Sequence, residues 1–282
     1  MRDARRFAGI ALALGACLAR PAAAQTPDQP NLIFTISGGL ITGGRELWSL
    51  PRQLAIVSPF GSSYAWDTVG LGRKMASGFL ATLTATYYWT PHLGVSGEAG
   101  IFGLESVSSC AVVGQFHATA DNQNAQACSF VNGQTNRGDA FGLLAGLTYR
   151  VTTRGIQPYV RAAAGGAFLG SSFIEEASDV LVSGGSVSTV YFLADEHHKE
   201  LTWMVSLGAG ITFPLGPGYQ LRFEARDLIV PLPRPAGPAM DTAQIVNLGA
   251  LPDPPLGTRI MHIPTIMVGL DVVLERRRGH RY

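Results

Sequence analysis

Hydrophobic and polar residues alternate at every second position in eight segments of the chain. In "YQLRFEARDLIV", for example, Tyr219, Leu221 and Phe223 share one face, while Arg222 and Glu224 share the other. A period of two is typical of β-strands whose two faces meet different surroundings. The pattern therefore predicts an all-β fold of eight antiparallel strands, at roughly 31–42, 76–90, 92–104, 139–152, 156–170, 200–213, 218–230 and 262–274.

The connections between these segments alternate between short and long. Three are tight turns rich in Pro or Gly, near residues 91, 154 and 216. Four are long loops, at 43–75, 105–138, 171–199 and 231–261. This order predicts a single up-and-down domain with turns at one end, the short-turn end, and loops at the other, the long-loop end.

The two faces of the predicted strands differ in an unusual way. In the second segment, Phe79, Leu83 and Tyr87 lie on one face and small polar residues such as Thr82 and Thr84 lie on the other. Large residues on one face and Gly, Ser and Thr on the other suit a narrow barrel with a cramped interior and lipid outside. Lysine, a typical solvent-facing residue, occurs only at positions 74 and 199, both beside loops. We therefore expect a transmembrane antiparallel β-barrel, since lipid excludes open sheets.

Aromatic residues on the apolar face fall into two bands. Phe79 and Trp89 are ten residues apart, as are Trp203 and Phe213. Ten tilted strand residues span about 25 Å of height, which is the apolar band of such barrels. The predicted girdles are Phe79, Phe141, Phe168 and Trp203 near the long loops, and Trp89, Tyr149, Phe213 and Tyr219 near the short turns.

Charged residues within the strands share the opposite, inward face. Because an unpaired charge in a low-dielectric interior is costly, we expect them to form a balanced network. Asp227, at the end of its strand, is expected to face headgroups or the start of a loop. The predicted lumen network consists of Glu98, Arg161, Arg222, Glu224, Arg226 and Asp271.

The N-terminus has the features of a secretory signal peptide. A basic start, an apolar run from Phe7 to Leu18 and a small-residue exit predict a signal over residues 1–24, which leaves 25–282 as the mature chain. "LGAC" offers an alternative, in which Cys17 is lipidated as in a lipoprotein. Either route exports the chain.

Two cysteines remain after such processing, Cys110 and Cys128. An even pair in an exported chain predicts a disulfide. Closing a loop of this length stabilises the folded state by about 3 kcal/mol in the chain-entropy model.

Composition narrows the choice of partners. The formal net charge of +1, with only 15% charged residues, argues against binding to nucleic acid. We expect contacts with outer-membrane lipids, a monomeric state, and an external ligand of unknown nature at the loops.

The architecture resembles the eight-stranded outer-membrane barrels of the OmpA-type and OmpX-type class. The resemblance covers nearly all of the mature chain and implies the outer membrane of a Gram-negative-type bacterium. "MVGLDVVL" is similar to the assembly signal of these barrels, with Gly269, Val272 and Leu274 at its set positions, and implies recognition by the barrel assembly machinery. Met267 and the tail "ERRRGHRY" depart from that pattern.

Candidate chemistry is sparse. "DEHHKE", residues 195–200, clusters carboxylates with His197 and His198, but adjacent residues on a strand point in opposite directions, so no metal site is expected. His92, His117, His262 and His280 lie apart from one another, and no serine stands beside a His and a carboxylate as a triad would require. We expect no catalysis and no cofactor.

Three functions remain open. An eight-stranded barrel is just wide enough for side chains to fill, which favours a structural or surface-interaction protein that acts through its loops. The alternatives are a narrow channel for small solutes and a lipid-modifying enzyme. Residues 179–193 predict a hairpin above the membrane, or else two further strands of a ten-stranded barrel, and the Pro-rich stretch 231–257 predicts a semi-rigid surface loop.

Overall fold

The computed structural model describes residues 31–60, 63–114, 124–169, 174–181, 185, 187–193, 200–235 and 256–274. The predicted signal peptide with Cys17, the histidines His117, His197, His198 and His280, and the tail from residue 275 lie outside these ranges. Within them, the chain forms twelve strands and one helix. These are β1 (Asn31–Ile41), β2 (Glu46–Phe60), β3 (Ser63–Met75), β4 (Gly78–Tyr88), β5 (Leu93–Gly114), α1 (Asn124–Val131), β6 (Thr135–Arg150), β7 (Gln157–Leu169), β8 (Glu176–Leu181), β9 (Val187–Leu193), β10 (Glu200–Gly216), β11 (Tyr219–Pro235) and β12 (Leu256–Leu274).

Eight of these strands form a closed antiparallel ring. The order around the ring is β1-β4-β5-β6-β7-β10-β11-β12, and β12 pairs with β1 to close it. The eight strands predicted from periodicity are therefore confirmed. Closure pairs the edges that an open sheet would expose.

The alternative of ten wall strands is wrong. β8 and β9 do form a hairpin, as predicted, but they pair only with each other in a separate two-stranded sheet. They lie beyond the ring, at the long-loop end. Within the described residues, no helix is long and apolar enough to span a membrane.

The inward and outward faces follow the predicted alternation. Along β4, buried positions alternate with exposed ones, and Phe79, Leu83 and Tyr87 are among the exposed side chains. Thr82 and Thr84 point inward and are buried. The large apolar side chains thus form the outer surface of the ring.

Two of the tight turns contain a glycine with positive φ. Gly155 (φ 64°) lies between β6 and β7, and Gly218 (φ 81°) lies between β10 and β11. A side chain is strained in this left-handed region, so glycine is the residue expected there.

The predicted long loops contain more regular structure than the alternation had indicated. β5 continues to Gly114 and β6 begins at Thr135, both inside the predicted loop 105–138. In the predicted loop 43–75, β2 and β3 form a hairpin, and β3 pairs with the extended part of β5. Bulges in the β2–β3 pairing interrupt the period of two, so that adjacent Leu47 and Trp48 are both buried.

The ladder between β10 and β11 ends at Val205–Ile229, although β11 continues beside β12 as far as Pro235. Pro231, Pro233 and Pro235 have no backbone N–H to donate. The carbonyl of Pro231 accepts a hydrogen bond from the hydroxyl of Thr202 at 3.4 Å, so its backbone faces β10. The prolines of the predicted Pro-rich loop thus explain why this ladder stops.

We call the structure beyond the ring the cap: β2, β3, Ser106–Gly114 of β5, α1, β8 and β9. Its buried apolar side chains continue without a break into the outer half of the lumen. α1 is held to β5 by the Cys110–Cys128 disulfide, whose Cα atoms are 5.1 Å apart. Asn124, at the start of α1, also donates to the carboxylate of Asp67 on β3 at 2.9 Å.

Replacing both cysteines, as Cys110→Ser and Cys128→Ser, should loosen α1 without opening the ring. The disulfide closes a short loop, so its loss should lower the stability of the cap by about 2–3 kcal/mol. Hydrogen exchange of α1 amides measures this change, and heat-modifiable migration in detergent gels checks that the barrel is intact. Unchanged protection of α1 would show that the disulfide does not stabilise the cap.

Candidate functional site

Six charged side chains meet inside the ring. Glu98 comes from β5, Arg161 from β7 and Asp271 from β12, while β11 supplies the remaining three. Each is 5% exposed or less, because each occupies an inward position of its strand. The six are the residues of the predicted lumen network: Glu98, Arg161, Arg222, Glu224, Arg226 and Asp271.

Glu98 is the centre of the first group of contacts. Its Oε2 accepts from Nη1 of Arg161 at 2.6 Å, and its Oε1 accepts from Nη1 of Arg226 at 2.7 Å. The hydroxyl of Thr84, opposite Glu98 on β4, donates to Oε2 at 3.1 Å. One carboxylate therefore joins β5, β7 and β11 across the lumen.

Asp271 and Arg222 form the second group. Arg222 donates through Nε to Oδ1 and through Nη2 to Oδ2, both at 2.9 Å. Thr35, which faces Asp271 on β1, donates its hydroxyl to Oδ1 at 2.7 Å. This two-point geometry is the strong form of a charge-assisted hydrogen bond.

Glu224 lies between the two groups and has weaker contacts with both arginines. Its carboxylate is 3.8 Å from Nη1 of Arg222 and 3.5 Å from Nε of Arg226. Its hydrogen bond comes instead from the hydroxyl of Tyr159, at 2.6 Å. Tyr159 also lies beneath the guanidinium of Arg222, 4.8 Å from the ring centre, and so connects the two groups.

The network is balanced in formal charge, with three arginines and three carboxylates. Burying such groups is favourable only when their charges are paired and their polar atoms are hydrogen-bonded. Thr35, Thr84 and Tyr159, which the sequence analysis did not select, supply part of that bonding. All three share the inward face, and Thr35 and Thr84 are direct cross-strand partners of carboxylates.

On the short-turn side of the network, the lumen opens into a polar cavity of about 240 Å³. Arg150, Gln157 and Gln220 line it, and a narrower space of about 10 Å³ continues to Arg222 and Asp271. The guanidinium of Arg150 lies 4.1 Å from the ring centre of Tyr88. The cavity therefore leads up to the network.

On the long-loop side, the lumen is apolar, which the sequence analysis did not anticipate. Leu80, Phe102, Leu144, Met204 and Leu228 are all buried there. They belong to the same cluster as the apolar residues of the cap. The space left among Phe102, Met204, Leu228 and their apolar neighbours is about 20 Å³. Side chains thus fill the lumen at two successive levels, one charged and one apolar.

The predicted aromatic girdles lie on the outer surface of the ring. Phe213 is half-buried against Phe223, and the other girdle residues are exposed. Phe141 and Phe168 are register partners on β6 and β7, with ring centres 6.4 Å apart.

The predicted assembly signal occupies the end of β12. Gly269 points inward, where a Cβ would overlap the side chain of Ser37 on β1. Leu274 points outward and is exposed, and Val272 is half-buried. Met267, a departure from the family pattern, accepts hydrogen bonds from the guanidinium of Arg226 through its sulfur.

Two histidines, His92 and His262, lie among the described residues. Nδ1 of His92 is 2.9 Å from the carbonyl oxygen of Arg150 in a turn. His262 lies on the outer surface at the long-loop end, with Nδ1 2.6 Å from Oδ2 of Asp227. Asp227 thus points outward, away from the lumen network. Among the described residues, no group of three or more His, Cys, Asp or Glu could hold a metal ion.

Glu98→Gln should destabilise the barrel by about 3 kcal/mol or more, because removing one partner leaves buried arginines without their carboxylate. Glu46→Gln is the matched control. Glu46 forms an exposed pair with Arg259 at 3.3 Å, and such pairs contribute about 1 kcal/mol or less. Urea unfolding in lipid vesicles, followed by tryptophan fluorescence, compares the two. Equal losses of stability would contradict a special role for the buried network.

Comparison with known proteins identifies the family. The model of the outer membrane protein beta-barrel domain matches residues 9–250. No curated protein shows significant sequence similarity to the chain.

Solved structures of other barrels show a remote likeness. The chain is similar to the outer membrane protein OprG from Pseudomonas aeruginosa, with 10% identity over 90% of this chain and 100% of that chain and a TM-score of 0.41. For Neisserial surface protein A (NspA), the identity is 10% over 87% of this chain and 99% of that chain, with a TM-score of 0.39. For the outer membrane protease OmpT from Escherichia coli, it is 9% over 90% and 99%, with a TM-score of 0.38. Likeness at this level carries no argument about function. The family match, by contrast, spans most of the sequence, and the chain belongs to the outer membrane protein beta-barrel domain family.

Proposed function

We propose that this chain is a closed outer-membrane barrel that acts at the cell surface, as a structural or interaction protein, through its cap and long loops. The observation that supports this most directly is the filling of the lumen at two levels. The proposal assigns no catalytic step and no cofactor to the chain. Membership of the family places the barrel in the outer membrane of Gram-negative bacteria.

The two levels obstruct a solute for different physical reasons. At the charged level, a passing ion would have to displace Arg161 or Arg226 from Glu98, and so leave desolvated charges without a partner. At the apolar level, an ion would lose its hydration shell without gaining polar contacts. Both levels lie in a barrel whose size leaves little more than room for side chains.

The cap supports a role outside the membrane. It is built from two hairpins and a helix, and it is fastened by a disulfide and by buried hydrogen bonds. A folded surface of this kind loses less conformational entropy when it binds a partner than a flexible loop does.

Contacts within the membrane follow from the outer surface of the ring. We propose that the girdles bind outer-membrane lipids at the two interfaces and that the end of β12 is read by the barrel assembly machinery. We also propose a monomer, since the ring closes within one chain. We propose, finally, that the chain is exported as a precursor whose signal peptide spans residues 1–24.

A narrow channel is the second candidate, and the polar cavity at the short-turn end favours it. That cavity of about 240 Å³ brings solvent close to Arg222 and Asp271. If the network rearranged, this path would extend further into the lumen. The channel requires the apolar level to open as well.

Planar-bilayer conductance of the folded, full-length protein tests the proposal. We expect no steady conductance, because both levels remain closed at rest. Heat-modifiable migration of the same sample establishes that the protein is folded before it is added.

Steady conductance would overturn the closed barrel in favour of the channel. In that case Glu224→Gln, which alters the lumen, should change ion selectivity. Asp227→Asn, which alters the outer surface, should leave it unchanged. A conductance that responds equally to both variants would not arise from the lumen.

A further inference from the structure

A single carboxylate lies on the membrane-facing wall of the ring. Asp227 on β11 points outward, and its register partner on β10, Leu207, lies between the girdle residues Trp203 and Phe213. Among the described ring strands, no other outward position between the two girdles holds an acidic residue. A charged group on the lipid face of a barrel is costly, and the cost rises toward the middle of the bilayer. A partner for this carboxylate is therefore expected.

His262 is the partner that the chain itself provides. It lies on the neighbouring strand β12, with Nδ1 2.6 Å from Oδ2 of Asp227. His262 pairs with Ile229 on β11, and Ile229 pairs with Val205 on β10, two residues from Trp203. The imidazole is therefore close to the outer girdle, where the hydrocarbon meets the headgroups. The side chains of His262 and Asp227 are 51% and 34% exposed, so both are open to the membrane.

His262 alone does not satisfy the hydrogen-bonding capacity of the carboxylate. Oδ1 of Asp227 is buried and has no hydrogen-bond partner among the described residues. A group outside the wall can therefore reach the carboxylate only through Oδ2, and an ionised carboxylate oxygen accepts more than one hydrogen bond. The second ring nitrogen of His262, Nε2, is a donor whenever the imidazole is protonated. The pair thus presents a negative acceptor beside a positive donor.

The wall is recessed next to this pair, on the side of the short turns. Ala225 occupies the next outward position of β11, and its register partner on β10 is Ala209. Both alanines are exposed, and the larger exposed side chains of Leu207 and Ile266 project beside them. Two methyl groups among larger neighbours leave a shallow apolar recess that leads away from Asp227. Its position and its apolar lining suit one acyl chain.

We propose that Asp227, His262 and the recess at Ala209 and Ala225 bind one outer-leaflet lipid whose headgroup carries an ammonium and a phosphate. The ammonium donates to Oδ2 of Asp227, the phosphate accepts from Nε2 of His262, and an acyl chain lies in the recess. Opposite charges on the lipid match opposite charges on the wall, which favours a zwitterionic headgroup over a purely anionic one. The occupant is a lipid because this surface faces the bilayer, so the inference rests on the membrane contacts proposed above.

Native mass spectrometry of the full-length protein, released from mixed vesicles, tests the proposal. The vesicles contain equal amounts of phosphatidylethanolamine and phosphatidylcholine with the same acyl chains, and only the first has N–H donors. We expect one retained lipid per barrel, with phosphatidylethanolamine favoured roughly 10-fold, because only its ammonium can form the charge-assisted hydrogen bond to Oδ2. Asp227→Asn should lose this preference. Asp139→Asn, which alters an exposed carboxylate of β6 beyond the girdle, should keep it.

Ala225→Leu tests the recess separately from the charged pair. The larger side chain fills the space proposed for the acyl chain, so fewer barrels should retain either lipid, while the preference between the two headgroups should not change. Ala145→Leu is the matched control, because Ala145 is also exposed on the outer wall but lies on β6. It should leave retention at the wild-type level.

Two results would overturn the proposed lipid site: equal retention of the two lipids by the wild-type protein, or an unchanged preference in Asp227→Asn. All of these substitutions are on the outer surface, and heat-modifiable migration establishes that each variant is folded. Either result from a folded, inserted protein refutes this site alone. Failure of the wild-type protein to insert into the vesicles would refute the proposed membrane contacts as well.

Discussion

The need to pair every backbone N–H and C=O within hydrocarbon governs this structure. Lipid offers no hydrogen bonds, so strands can cross it only if the sheet closes on itself. Closure then fixes two surfaces, an outer one that must be apolar and an inner one with little volume. The six buried charges lie on this inner surface. Their burial is tolerated because Glu98, Asp271 and Glu224 each accept hydrogen bonds from neighbouring side chains.

The structure has two interiors rather than one. The short-turn half of the lumen is polar and the long-loop half is apolar, and the apolar half is continuous with the core of the cap. The cap therefore packs on the barrel as a second layer packs on a first in a soluble domain. Because the outer part of the lumen and the cap form one apolar cluster, a substitution that disturbs the packing of one should also lower the stability of the other.

The sequence alone predicted the strands, their inward and outward faces and the charges that point inward, because all of these depend on a local period of two. It did not predict which charges would meet. The pairing of Glu98 with Arg226 depends on the register of strands that are far apart in the chain. The β2–β3 hairpin was also missed, since its bulges and Pro51 disturb the alternation that marks the other strands. The apolar half of the lumen was overlooked because Leu80 and Met204 are isolated among small residues in the sequence and form a layer only when the ring closes.

The position of the disulfide has a consequence for the order of assembly. Cys110 and Cys128 belong to the same connection, between the ring parts of β5 and β6, so their bond does not link two different loops. Each loop can then cross the membrane as a separate unit, even after oxidation in the periplasm. Arg73 on β3 and Glu176 on β8, in contrast, form a buried ion pair of 3.3 Å between two different long loops. This pair can form only after both loops have crossed the membrane. The disulfide can therefore form before insertion, whereas the ion pair inside the cap can form only afterwards.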